Sequence, residues 1–523
     1  MLLFMPRTRG SLRTTGVVAC VATAVLLAGC TGDSSPDAEP SPGRSTTGSP
    51  SAAGSTTATP APEVPRPDGP AADISQHLSG GNGVFMGLSR PQSLDPGYVE
   101  DEYAAEGRAT AYAPVQGQCD PRCSGQAALP TNGRWTFEPT DETRYRTRIV
   151  VRRPASAGDG IVLLEWLNVG RGLDTDPAYQ NLREEIVRQG HTWVGVSAQK
   201  SGVEGGKADL PLDVPGTAQL VGKGLKAIDP ERYGSLRHPG DRFAFDIFTQ
   251  VARALRAGGP ATGSEVPTEV LALGDSQSAW GLTTYVNGVQ PLTHAFDGFF
   301  VMSRAGSAMV VPSGAKPVKV GPTILGPPTI FRTDTDVPIL DLQAESDVVG
   351  VLGSSAARQP DTDLFRLWEA AGTANIDVHL IGQRAADALD CGPPINDGPL
   401  HVIAKAALRH FVEWVTDGTP PPPAPRLGQS IGGTIRDGLR TPPVDQPTRR
   451  LSGLTYRTDE LICQLSGSTQ RMTTKQLSEL YADRADFVLR YNAGVQAAID
   501  HGFVLPEDRE ALLGYAHAEL VPD

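Results

Sequence analysis

Glu269-Val270-Leu271-Ala272-Leu273-Gly274-Asp275-Ser276-Gln277-Ser278-Ala279-Trp280-Gly281-Leu282 changes character part-way along. Glu269 to Leu273 is short and almost wholly apolar, the pattern of a strand buried on both faces. Ala279 to Leu282 reads as the start of a helix. Between them Gly274 to Ser278 forms a small-residue turn around a serine. A hydroxyl on such a strand-to-helix turn is lifted above the sheet, and its neighbours must be small because the turn is strained. Ser276 is therefore the expected nucleophile. The backbone N–H of Gln277 would face the oxyanion of a tetrahedral intermediate, aided by the helix dipole. The usual pattern ends in glycine; here Ser278 stands there. The competing reading is a plain turn or helix cap.

Other apolar runs frame this one. Tyr145 to Val151, Ile161 to Leu167, Trp193 to Ser197, Phe299 to Met302 and Pro338 to Leu342 read as strands. Tyr179 to Arg188, Phe243 to Ala257 and Ala404 to Val415 have helical spacing. Near-continuous apolar strands separated by helices predict a mostly parallel sheet covered on both faces. The expected class is α/β, an alpha/beta-hydrolase fold with insertions at Gly202 to His238 and Ser307 to Phe331. Polar helices between Leu477 and Leu520 form a C-terminal extension.

A serine nucleophile needs a base, and the base needs an orienting carboxylate. In this fold they follow in the order serine, acid, histidine. Asp347, just past the strand ending at Leu342, is the expected acid, with Glu345 as the alternative. Five histidines lie downstream: His379, His401, His410, His501 and His517. His401, at the loop opening the Ala404 helix, is the expected base, with His379 as the alternative. The loop Leu167 to Gly172 follows an earlier strand. Its glycines permit close approach, and Asn168 is the expected second contributor to the oxyanion site. No zinc-type Cys/His spacing or phosphate-binding loop is present, so the expected chemistry uses neither metal nor cofactor.

Composition bounds the partners. The 523 residues carry a formal charge of −13, which argues against nucleic acid. Glycine (58) and proline (45) together make about one residue in five, which predicts many turns and an unfolded stretch. Residues 1–30 read as a secretory signal, with Arg7, Arg9 and Arg13 before an apolar run from Gly16 to Leu27. Leu27-Ala28-Gly29-Cys30 resembles the bacterial lipobox, which implies lipidation at Cys30 and a cell-membrane protein anchored on the extracytoplasmic face. Residues 31–73 are rich in Ser, Thr, Pro, Gly and Ala and read as a tether. Residues 74–523 form the expected hydrolase domain. Such a compartment permits disulfides; Cys119 with Cys123 and Cys391 with Cys463 are possible pairs.

Several segments together resemble one bacterial family. They are Trp166-Leu167-Asn168-Val169, Gly274 to Ser278, Glu345-Ser346-Asp347, Phe365 to Gly372, and Asn396 to His401 followed by Ala406-Ala407-Leu408. The family is the alpha/beta hydrolase domain-containing proteins, and the likeness runs from about Tyr98 to near the C-terminus. It implies a serine hydrolase fold acting on carboxylic esters, with a small-molecule ester as partner. One position departs: the family segment matching Ala371 to Ala374 is often followed by histidine, and here Asn375 follows. If that histidine is the family's base, this chain lacks it. The rival function is then a catalytically weak or inactive surface protein that binds a ligand in the old cleft. An SGNH-type hydrolase is disfavoured because Ser276 sits mid-chain and Asp397 precedes His401 by four residues.

Overall fold

The computed structural model describes residues 68–88, 94–118, 129–210, 218–312, 314, 316–318, 324–429, 435–457 and 459–523. These belong to one compact unit, Glu63–Asp523. The expected signal, Cys30, most of the tether, and Cys119 with Cys123 lie outside the described residues.

Eight strands form the central sheet: β1 (Tyr98–Pro114), β2 (Phe137–Pro154), β3 (Ile161–Trp166), β4 (Thr192–Val196), β5 (Glu269–Asp275), β6 (Gly298–Met302), β7 (Ile339–Ala344) and β8 (Phe365–Ala370). Their order is β1-β2-β4-β3-β5-β6-β7-β8. β1 with β2 and β2 with β4 are antiparallel; every other pair is parallel. The helices that frame the site are α1 (Pro177–Gln189), α2 (Ala244–Arg256), α3 (Gln277–Thr284), α4 (Glu345–Val349), α5 (Val378–Ile381) and α6 (Leu400–Asp417).

Alternation along the strands explains why they read as continuous apolar runs. Val162, Leu164 and Trp166 of β3 join one core with Phe245 and Phe248 of α2 and Trp280 of α3. Ile161 and Leu163 face the opposite core with Leu182 and Ile186 of α1 and Ile403, Ala407 and Phe411 of α6. Both faces are thus buried, as a parallel sheet requires. Three C-terminal helices, Thr474–Leu480, Arg484–Asp500 and Arg509–Leu513, contribute to a separate apolar cluster with Val402 of α6. Cys391 and Cys463 form a disulfide across 72 residues. Among the described residues no helix is long and apolar enough to cross a membrane.

Candidate active site

Ser276 stands at the C-terminal end of β5, where the chain turns into α3. Its backbone has φ 58° and ψ −119°, a region a side-chain-bearing residue adopts only when its surroundings hold it there. Three contacts hold it. Ser276 N–H donates to Met302 O of β6 at 3.0 Å. The Ser278 hydroxyl bonds the Asp275 N–H and carbonyl, each at 3.0 Å. Asn168 Nδ2 donates to Asp275 O at 3.0 Å. A serine in place of the usual glycine is therefore accommodated: its hydroxyl pins the turn. Gly274 is needed for space, since a Cβ there would lie 2.8 Å from Leu282 Cδ1 and 3.2 Å from Ala279 N.

The loop after β3 lies against this turn, and its polar groups are used internally. Asn168 N–H donates to Thr175 O, Val169 N–H to Gln277 Oε1, and Gly170 N–H to Asn168 Oδ1. Asn168 thus fastens loop to turn, with one N–H of its amide given to Asp275 O. The Gln277 side chain, which gave no signal in the sequence beyond its backbone, returns the clasp from the other side. Its Nε2 donates to Gln199 Oε1 at 2.8 Å. The Gln277 backbone N–H, at the first position of α3, has no acceptor among the described residues.

Asp347 and Glu345 occupy α4, directly after β7, and have different partners. Glu345 is tied on both oxygens: Oε2 accepts from Gly372 N–H at 2.7 Å and Oε1 from Gly453 N–H at 2.8 Å. It fastens two loops together. Asp347 Oδ2 accepts from Ala344 N–H at 2.8 Å, and Oδ1 accepts from Asn375 Nδ2 at 3.0 Å. Burial pushes the Asp347 carboxyl up to about 7, against the pull of these bonds.

Asn375 follows β8, where the chain order of the fold places the histidine. Its Nδ2 also reaches Ser303 O at 3.4 Å, and its N–H donates to Ser346 Oγ at 2.8 Å. Two acceptors on one side fix the NH₂ there. Its Oδ1 has no hydrogen bond among the described residues, and Asn375 lines the same cleft as Ser276.

The structure does not bring His401 to this pair. His401 lies in the first turn of α6, with its ring stacked on His379 at 3.6 Å and 1°. Its Nδ1 is buried without a partner, and no hydrogen bond joins it to Ser276 or Asp347. His379 Nε2 bonds Gln180 O at 3.3 Å. Neither ring lines the Ser276 cleft. Burial, His379 and Lys405 hold His401 well below the usual histidine range, so it stays neutral. The physical reason is local: the two rings stack on each other, with His379 held by Gln180 O of α1, while Asn375 fills the place beside Asp347.

The cleft encloses about 530 Å³, its open mouth included. Leu380 and Ile381 of α5 and Ile462 form one wall. Ile381 and Ile462 also pack around the Cys391–Cys463 disulfide. Among the described residues no group of His, Cys, Asp or Glu is placed to hold a metal ion.

Two more buried carboxyls lie close by. Burial raises Asp275 well above the carboxylate range, helped by Asp347 and Asp377. Asp377 caps α5 by accepting from Leu380 N–H at 2.8 Å, while its Oδ2 is buried without a partner. Burial pushes it up to about 7 from 3.8. The folded chain therefore binds a proton here that the unfolded chain has released, so stability falls as pH rises through that window. Asp377→Asn keeps an acceptor for the cap and removes the charge. Its melting temperature should exceed the wild type at about pH 8 and match it near pH 4; an equal shift at both pH values would contradict the assignment.

The model of the alpha/beta hydrolase domain family matches residues 64–514. The chain belongs to the alpha/beta hydrolase domain family. Structural similarity to individual solved proteins is low. A lidless a/b serine hydrolase from Xanthomonas campestris has 11% identity over 50% of this chain and 88% of its own, with TM-score 0.29. An alpha-beta serine hydrolase homologue from Coxiella burnetii has 11% identity, coverages of 46% and 88%, and TM-score 0.26. A cold-adapted esterase from an Arctic intertidal metagenomic library has 12% identity, coverages of 54% and 89%, and TM-score 0.24. No curated protein matches the chain.

Proposed function

We propose that this hydrolase-family protein is a carboxylic ester hydrolase of low turnover. Ser276 attacks the ester carbonyl and Gln277 N–H holds the oxyanion. The place of the general base is taken by an amide. The observation that carries this reading is the 3.0 Å bond from Asn375 Nδ2 to Asp347. An imidazole between serine and aspartate accepts the hydroxyl proton. An amide oxygen accepts a hydrogen bond but is far too weak a base to take that proton. On attack the Ser276 proton passes to solvent at the cleft mouth, the alkoxide leaves the tetrahedral intermediate with a solvent proton, and water releases the acyl group. An oxyanion site and binding alone retain about 10³–10⁴-fold over water when triad groups are removed.

The sequence motif at Cys30 supports a lipid-anchored protein on the extracytoplasmic face as part of the same reading. The test of the function compares p-nitrophenyl butyrate hydrolysis by the wild type and Ser276→Ala. A slow rate that disappears in the variant is expected; a rate equal in both would remove the serine from the chemistry and leave the ligand-binding reading.

A further inference from the structure

The hydrogen-bonding groups of the cleft do not spread over its surface. Asn168 is committed on both amide atoms, Thr175 Oγ1 donates to Asn168 O at 2.9 Å, and Asp275 accepts from Asn181. Ser276 Oγ, Asn375 Oδ1 and the Gln277 N–H have no partners among the described residues. Ser276 and Asn375 line the cleft, and Gln277 adjoins Ser276 on the turn at the end of β5; together they are taken as its floor. Away from that floor the lining is aliphatic: Leu88, Pro177, Leu210, Leu380, Ile381 and Ile462. Among the described residues no aromatic side chain lines the cleft. Arg171, on the loop after β3, is the one basic side chain of the lining among the described residues.

A ligand that fits these facts has one polar end and a long saturated body. Its carbonyl oxygen would accept from Gln277 N–H and the Ser276 hydroxyl. A second polar group further along, unless it lay beside Arg171, would meet aliphatic walls and would stay unpaired, at a cost. Branched and unbranched aliphatic walls pack well against methylenes. They offer none of the ring-on-ring contacts that favour an aromatic acyl group.

We propose that the cleft takes esters of aliphatic carboxylic acids, with the acyl chain lying against Leu380, Ile381 and Ile462. This rests on reading the cleft as an ester site. It goes beyond that reading by naming the acyl class. The wall it uses is set by the disulfide and by α5, not by the catalytic turn.

The test is a binding measurement, so that it stands or falls apart from turnover. The full-length chain is titrated calorimetrically with methyl butyrate, methyl hexanoate, methyl octanoate and methyl benzoate. Affinity should rise about threefold to fourfold per methylene, the gain from burying one CH₂ group, so about tenfold from butyrate to hexanoate. Methyl benzoate should bind more weakly than methyl hexanoate. Leu380→Asp should flatten the chain-length gain. The series on the unmodified chain decides the matter even where that variant fails to fold. Affinity independent of chain length, a preference for benzoate, or no binding by any of the four would overturn the proposal. A Ser276-independent hydrolysis would overturn the proposed function and leave this binding result untouched.

Discussion

Asn375→His is expected to raise Ser276-dependent ester hydrolysis by about a hundredfold to ten-thousandfold, the usual worth of a positioned general base. The argument is one of position. Asn375 follows β8, lines the Ser276 cleft and bonds Asp347 at 3.0 Å. Histidine there could donate Nδ1–H to Asp347 and present Nε2 to the serine, the relation in which an aspartate orients and stabilises an imidazolium. The Asp347 carboxyl, pushed up to about 7 by burial, would be drawn back toward its ionised form by the imidazolium. The gain should therefore appear as a sigmoid rise with pH through the titration of the new imidazole. It should vanish in the Ser276→Ala, Asn375→His double variant. An Asn375→His chain that folds with wild-type stability and stays as slow as the wild type would contradict the placement.

The largest expected effect on stability is at Arg148. This side chain of β2 is fully buried and bonds Glu102 Oε1 of β1 at 3.0 Å, Asp174 Oδ2 at 2.7 Å, Ser197 Oγ at 3.1 Å and Phe85 O at 2.6 Å. Both carboxylates are themselves fully buried. Removing the cation leaves Asp174 without its partner cation, while Glu102 keeps Arg232 and the Tyr233 hydroxyl, a loss of about 3–5 kcal/mol for breaking a buried pair of this kind. Asp174 adjoins Thr175, whose N–H and hydroxyl both bond Asn168 O. The loop that meets the catalytic turn is thus tethered through Arg148. Arg148→Met should lower the unfolding free energy from denaturant melts by that amount; a loss under about 1 kcal/mol would show that the network carries little net stability.

How much of this was legible in the sequence differs from element to element. β3, β4, β5, β6 and β7 were legible because both faces of a parallel strand are buried, so each reads as an apolar run. β1 was not. Its residues Tyr98 to Pro114 mix alanines with Glu100, Asp101, Glu102 and Arg108. Several of these charges are paired with β2 or with helical residues, a pairing that only tertiary structure reveals. The turn at Ser276 was legible from its small neighbours between strand and helix. Position 375 was legible as a departure from the family. The bond to Asp347 was not, because it depends on how the loops after β7 and β8 fold together. His401 was selected by chain order and loop context, which carry no information on where its ring points. It points at His379. Asn168 was read as an oxyanion contributor from its loop; its bond to Asp275 O, which fastens that loop to the turn, was not legible.

The most direct test of the central claim is the rate at which an alkyl fluorophosphonate adds to Ser276, followed by intact mass. Wild type and His401→Ala should label at the same slow rate, Asn375→His should label much faster, and Ser276→Ala should not label. Rapid labelling of the wild type that is lost in His401→Ala would contradict the account and return the role of base to His401.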